Sequence, residues 1–361
     1  MIHEYPDYYE YFECIGGKCP DSCCIGWELD IDDESYDYYK NVEGEFGDRL
    51  RANMSKDGDK TFVLAKHDRC PFLNEENLCD IYINLGEESL CKVCTEYPRY
   101  SENIDDYIQS DISLSCMEVG RIIFSEHDKI RYMLDNGRKR RKLAPELAGV
   151  LDIRDKLIKF LNDCCDAGVN VLIAVNKLLD FAERCHTLYA AGKYNKIRKI
   201  KPEKAAAKVV KHSGIVLDFW SDWNDIYDIL KELEVIDESW TKILEDANEQ
   251  IRGFDNSRME KFLNSVLKEQ RNNYYKILIY FVFRYMIRAY DDGNILAKAR
   301  FALFSFETIL VLDYARWMNN SGHFSVDDRI DVAHIYSKEI EHSAENVDFI
   351  LEEMLFFGFN V

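Results

Sequence analysis

The chain has 361 residues, 47% hydrophobic and 31% charged, with twelve cysteines and a net charge of −20. This is enough apolar material for a sizeable core, and it excludes a disordered, collagenous or loop-built chain. The most apolar run, Ile277 to Phe283, stops at Arg284, far short of the roughly 20 residues of a membrane helix.

The N-terminus, MIHEYPDYYEYFEC, has neither a basic n-region nor an apolar h-region, so the expected location is cytoplasmic. Charge is uneven. Residues 1–120 hold 28 acids against 10 Lys and Arg, a net of −18; residues 121–361 hold 38 against 36, a net of −2. Such a field repels a nucleic-acid backbone and favours basic partners or lysine-bearing substrates. No nucleic-acid or membrane partner is expected.

Nine cysteines fall between residues 14 and 116, in CIGGKCPDSCCIGW, CPFLNEENLCDIY, LCKVCTEYPRY and LSC. Gly16, Gly17 and Pro20 keep the first group on a loop, which can turn several sulfurs toward one point. Trp27 to Asp32 alternates apolar and acidic and predicts a short strand. Asp33 to Leu50 predicts a helix, and Lys60 to Ala65 another strand. Pro71 holds Cys70 extended. Leu85 to Cys94 predicts a helix ending before Pro98, with Cys91 and Cys94 on one face. Cys116 closes the region on a predicted strand, 112–116.

Helical periodicity then takes over. Predicted helices span 121–134, 145–165, 168–192, 203–212, 217–234, 237–251, 257–291, 295–320, a segment opening at Ser325, and 345–357. Ser257 to Glu260 has capping-box spacing. The basic stretch 137–142 is the candidate boundary between a cysteine-rich module, residues 1–120, and a helical domain, residues 121–361. The fold class is therefore mainly α, with an irregular α+β metal-binding module packed on helices. The aromatic run Tyr274 to Tyr290, and Cys164, Cys165 and Cys185, read as core.

Cytosolic thiols stay reduced, so a dense cysteine pattern points to metal before disulfides. Soft thiolates select zinc or iron–sulfur. One zinc takes four ligands, fewer than nine, so either two centres exist or one cluster is surrounded by extra thiols. Only Cys91-Lys-Val-Cys94 has knuckle spacing, which favours iron–sulfur, with zinc the alternative. His67 is the one histidine near the clusters, and Arg99 follows Tyr97-Pro98. Asp21, Glu28, Asp30, Glu96, Tyr82 and Tyr97 lie close to the cysteines in sequence; no catalytic residue is assigned. No glycine-rich strand-to-helix loop of the Rossmann type is present.

CPDSCCIGWELDID, CPFLNEENLCDIY, LCKVCTEYPR and LSC resemble, in order and spacing, the flagellin lysine-N-methylase family (FliB-type), which is related to a wider group of CxxxCC zinc- or iron-chelating proteins. The specific part covers roughly residues 8–120. Met117 stands where the family often has proline after the cysteine. The resemblance implies a cytoplasmic transferase that moves methyl groups from S-adenosylmethionine to flagellin lysines, with a [4Fe–4S] cluster. It implies metal ligands among Cys19, Cys23, Cys24, Cys70, Cys79 and Cys94, with Cys14 and Cys116 also at the cofactor. Adjacent Cys23 and Cys24 diverge and do not suit one iron. A non-catalytic metal module with a helical partner-binding domain is the alternative.

Overall fold

The computed structural model describes residues 1–27, 29–55, 58–126, 129–135, 143–202, 222–253 and 255–359. Four strands form one sheet in the order β2-β3-β1-β4: β1 Ile2–Pro6, β2 Arg99–Ile104, β3 Tyr107–Ile112 and β4 Tyr132–Leu134. β1 runs parallel to β3 and antiparallel to β4, while β2 and β3 make an antiparallel hairpin. Between β1 and β2 lie four short helices, α1 Asp33–Asn41, α2 Gly44–Ala52, α3 Asp80–Leu85 and α4 Lys92–Glu96. α5, Met117–Arg121, follows β3.

The long helices come next: α6 Pro145–Asp166, α7 Val171–Ala190, the single turn α8 Tyr194–Ile197, α9 Trp223–Glu232, α10 Ser239–Arg252, α11 Asn256–Phe262, α12 Arg271–Met286, the turn α13 Ala289–Asp292, α14 Ile295–Asn319, α15 Val326–Glu341 and α16 Ala344–Glu353. α12 and α14 pair at the centre, flanked by α6, α7 and α10. Every residue of α12 from Asn273 to Met286 is buried, as expected of a helix apolar on all sides. Among the described residues no helix is long and apolar enough to cross a membrane.

There are two substantial cores. The large one joins the helices to Tyr8, Phe12, Ile112 and Leu114. The small one belongs to the cysteine region alone and is built on Tyr39, Leu50, Phe62 and Phe72. Buried Arg154 fixes the sheet to the helices: it pairs with Glu4 at 2.8 Å, donates to the Tyr107 hydroxyl and stacks on Phe283. Gln109 on β3 donates to the Phe283 carbonyl at 2.9 Å.

The mainly α architecture agrees with the sequence pattern, but several local expectations do not hold. Residues 27–32 and 60–65 contribute isolated bridges, Asp30 to Thr61 among them, rather than strands. The helix expected over 33–50 divides into α1 and α2 at Val42 and Glu43, where Gly44 takes φ +82, a conformation glycine adopts without strain. Residues 85–94 hold a 3-10 turn and the start of α4 instead of one helix. The strand near 112–116 ends at Ile112, and Cys116 caps α5.

Residues 121–134 leave the helix at Arg121, pass through a π-turn and end in β4. The long helix over 257–291 is interrupted by another π-turn, Leu263–Leu267, and Asp255 rather than Ser257 caps its start. In each case tertiary packing overrides a local pattern. The basic stretch 137–142 and the expected helix 203–212 lie outside the described residues.

Candidate functional site

All twelve cysteines are free thiols. Cys164, Cys165 and Cys185 are buried in the helical core. The other nine fall into two neighbourhoods. The inner one holds Cys24, Cys70, Cys79, Cys91 and Cys94. Cys70 and Cys91 are buried in the module's own core, and the other three pack against it. The Cys70 N–H donates to the Cys24 carbonyl at 2.8 Å, Leu73 bridges to Cys79, and the Cys91 and Cys94 sulfurs are 3.4 Å apart. The outer neighbourhood holds Cys14, Cys19, Cys23 and Cys116. Cys116 packs against the large helical core instead.

Electrostatics follow the same division. Burial pushes the Cys70 thiol up to about 12, with Cys24, Cys79 and Cys91 adding to the rise. Burial pushes Cys116 to about 11, with Cys19 and Cys14 adding. Burial likewise raises Cys19, with Asp21 and Cys14 contributing. Cys23 and Cys24 share a hydrogen bond across the boundary, which lowers Cys24 to about 7 and raises Cys23. Backbone N–H groups already aim at several sulfurs: Phe72 at Cys70, Ile81 and Tyr82 at Cys79, Cys94 at Cys91, and Glu118 and Val119 at Cys116. Gly16 N–H donates to Cys14 at 3.4 Å. Donors so placed favour thiolates.

Among the described residues no group of three or more His, Cys, Asp or Glu side chains stands in metal-holding geometry. One pair comes close to it. Zn–S bonds of about 2.3 Å place tetrahedral sulfurs about 3.8 Å apart, and Cys91 and Cys94 are at 3.4 Å.

The outer thiols lie where the module meets α15. Residues 334, 338, 341 and 342 follow the helical period from the capping box of Ser325 and Asp328, so they face one side. His334 links the Ser115 carbonyl, 2.8 Å from Nδ1, to the Asp21 carboxylate, 2.6 Å from Nε2. Both partners are hydrogen-bond acceptors. Lys338, its side chain 8% exposed, reaches Asp21 at 3.0 Å and Asp237 at 3.5 Å. Burial opposes ionisation of Asp21, but hydrogen bonds from His334 and Lys338 prevail and hold it down at about 2. Close approach of glycines makes the junction tight: a Cβ on Gly120 would meet Ile330 at 3.0 Å, and one on Gly26 would meet Lys338 at 3.3 Å.

Three rings close this junction. Trp27 stacks on His342 at 4.7 Å, and Tyr97 lies 5.9 Å from Trp27 and 5.8 Å from His342. Trp27 donates to the Cys23 carbonyl and Tyr97 to the Ser115 carbonyl, both at 2.8 Å. The two His342 ring nitrogens are buried without partners among the described residues. Burial, then the charges of Lys338 and His334, drive its pKa down to about 3, so the ring is neutral. Behind it Glu341 accepts from Arg284, Tyr280 and Tyr285.

The sequence-derived candidates are distributed unevenly. Asp21 and Tyr97 sit at the junction. Asp30 and Tyr82 are exposed, and Glu96 pairs loosely with Lys92. Glu28 lies outside the described residues. His67 is an exposed turn residue with φ 62. Arg99 lies over the Tyr9 and Phe12 rings. Trp27, His334, Lys338, Glu341 and His342 were not singled out by sequence. The one usable signal was the Ser325 cap, which sets the register of α15.

A thiol-dense module with its own core, docked through one helix face onto a buried helical bundle, defines a cysteine-rich helical protein. A family model described as the FliB lysine N-methylase C-terminal domain matches residues 157–360. This is more than half of the chain, and the chain belongs to that family. Over 131 residues, 34% of the chain, it is 28% identical to the lysine-N-methylases of Salmonella choleraesuis (strain SC-B67) and Salmonella typhimurium (strain LT2) and to the flagellar biosynthetic protein FliU of Salmonella muenchen. The match spans 32% of the length of each lysine-N-methylase and 77% of FliU. No solved structure matches the chain.

Proposed function

We propose that this chain is a protein-lysine N-methyltransferase acting on flagellin in the cytoplasm, with S-adenosylmethionine as methyl donor and an iron–sulfur cluster held by its thiols. Family membership is the observation that carries the reaction class. The relatives, two lysine-N-methylases and a flagellar biosynthetic protein by name, support the acceptor.

The donor set suits the cluster. Nine free thiols lie in one module, and backbone N–H groups point at several of them. When bound, such a cluster would supply a Lewis-acidic iron for positioning the methyl donor. Its ligands would come from Cys14, Cys19, Cys23, Cys24, Cys70, Cys79, Cys94 and Cys116.

In the reaction the lysine nitrogen attacks the methyl carbon. The carbon–sulfur bond breaks and returns its electron pair to sulfur, and one proton leaves the nitrogen. The amine must be neutral to attack, which requires a proton acceptor or a desolvating wall. The acidic face of residues 1–120 draws the lysine in. Beside the outer thiols, Trp27, Tyr97 and neutral His342 provide an aromatic, partly dry surface, while Asp21 pairs with Lys338 and His334.

The test is to incubate anaerobically purified protein with flagellin and methyl-labelled S-adenosylmethionine, then hydrolyse the flagellin. Label in methyl-lysine is the expected result. Unlabelled lysine from an active-folded, metal-loaded sample contradicts the reading.

A further inference from the structure

We propose that Ile15, Leu78, Tyr82 and Ile83 form the docking surface for a lysine-bearing segment of the protein acceptor. This rests on the proposed methylation of a protein lysine and adds the surface that captures the acceptor.

The four side chains are 37%, 39%, 50% and 57% exposed. Single exposed apolar residues are ordinary on a protein surface, whereas a group of them marks an interaction site. Two segments that touch build this group. A Cβ on Gly17 would meet the Glu76 carbonyl at 2.7 Å and the Leu78 side chain at 3.3 Å, so the loop 15–17 lies directly against the turn that carries Leu78. Leu78 leads into α3, where Ile81 enters the module's own core and Tyr82 and Ile83 stay outside.

The turn is fixed before any partner arrives. The Asn74 side-chain carbonyl accepts from the Glu76 and Leu78 N–H groups, both at 3.0 Å, and its amide donates to Asp80 at 3.1 Å. Arg69 donates to the Leu73 carbonyl at 3.2 Å and to Asn77 Oδ1 at 3.0 Å. Leu78 is therefore held at the surface with little ordering left to lose on binding.

Charge selects the occupant. Residues 71–91 contain five acids and no Lys or Arg. Arg49 pairs with Asp80 at 2.7 Å, but Glu75 and Glu76 are exposed and form no ion pair among the described residues. A second copy docked through the same face would set like charges against each other, and an anionic membrane would be repelled in the same way. A segment with apolar side chains between lysines fits both parts of the surface. Its apolar atoms leave water against Tyr82 and Ile83, while its ammonium groups meet the carboxylates. The loop 15–17 lies between Cys14 and Cys19, so a segment docked here borders the thiols.

Binding of unmodified flagellin is measured by calorimetry, without methyl donor, on the wild type and on Tyr82→Ser/Ile83→Ser, Glu75→Gln/Glu76→Gln and Phe356→Ser. Circular dichroism checks folding. Phe356, 89% exposed near the other end of the chain, is the control for loss of an exposed apolar group. Tyr82→Ser/Ile83→Ser should raise Kd about ten-fold or more. Glu75→Gln/Glu76→Gln should weaken binding at low salt more than at high salt, and Phe356→Ser should match the wild type. Wild-type affinity in a folded Tyr82→Ser/Ile83→Ser protein overturns the proposal, and so does an equal loss in Phe356→Ser. Should the apolar variant fail to fold, an unaltered salt dependence in the glutamine variant overturns it instead. A wild-type dimer in sedimentation that Tyr82→Ser/Ile83→Ser splits would give the face to a second copy and overturn it as well. Flagellin that binds here but gains no methyl-lysine removes the reaction and keeps the docking surface. Methyl-lysine formed with equal affinity in all variants removes the docking surface alone, and a wild type that neither binds nor methylates flagellin overturns both.

Discussion

At the scale of the residue, the junction is governed by a few desolvated groups. His342 carries a pKa of about 3 against 6.5 for an ordinary histidine, chiefly through burial. The sign follows from linkage. Below about 6.5 the unfolded chain takes up a proton that the folded ring refuses, so stability falls with pH. Between pH 7 and pH 5 this costs on the order of 2 kcal/mol. Asp111 and Glu339 act in the opposite sense, because burial lifts each to about 7 and the fold is protonated first. The comparison with His342→Phe isolates the histidine: denaturant unfolding at pH 7 and pH 5 should show a smaller acid loss in the variant. Equal losses would remove His342 as the cause.

Asp21 holds both His334 and Lys338. Asp21→Ala leaves Lys338 with Asp237 at 3.5 Å and should cost about 1–3 kcal/mol in urea unfolding. Its contribution is present above about pH 4 and is lost as pH falls toward 2. An unchanged midpoint would mean that solvent already replaces the carboxylate.

At the scale of the element, α14 carries the centre of the bundle and an anomaly. Glu307 is 1% exposed, and neither carboxyl oxygen has a partner among the described residues. Burial raises its pKa well above the carboxylate range. Replacing an unsatisfied buried group with an apolar one of similar shape is neutral or stabilising, so Glu307→Met should unfold at equal or higher temperature. A fall in melting temperature would point to a partner for the carboxyl.

The long helices were legible because 3.6-residue periodicity persists over many turns, as in α6, α7 and α14. The cysteine region was not, since its loops follow side-chain contacts rather than a period. Expected strands at 27–32 and 60–65 shrink to single bridges. The site was half legible for the same reason. Thiols announce themselves by type, and Asp21 by its place among them. His334 and His342 lie more than 300 residues from Asp21 in sequence, and only the docking of α15 brings them to it.

At the scale of the whole molecule, charge and architecture point the same way. Nearly all the net charge sits on residues 1–120, while the helices supply the core and the α15 face. A lysine-rich acceptor should therefore be steered to the module. Raising salt to about 0.3 M shortens the screening length to several ångströms and should raise the acceptor KM several-fold with kcat nearly constant. A salt-independent KM would show that the acidic face plays no part in capture.

Lysine methylation of flagellin by this chain is read most plainly from the mass of flagellin produced with and without it. Increments of about 14 Da per methyl group, located on lysines, are expected only when the chain is present. Identical flagellin masses in the two samples, with folded and metal-loaded protein recovered from the first, would contradict it.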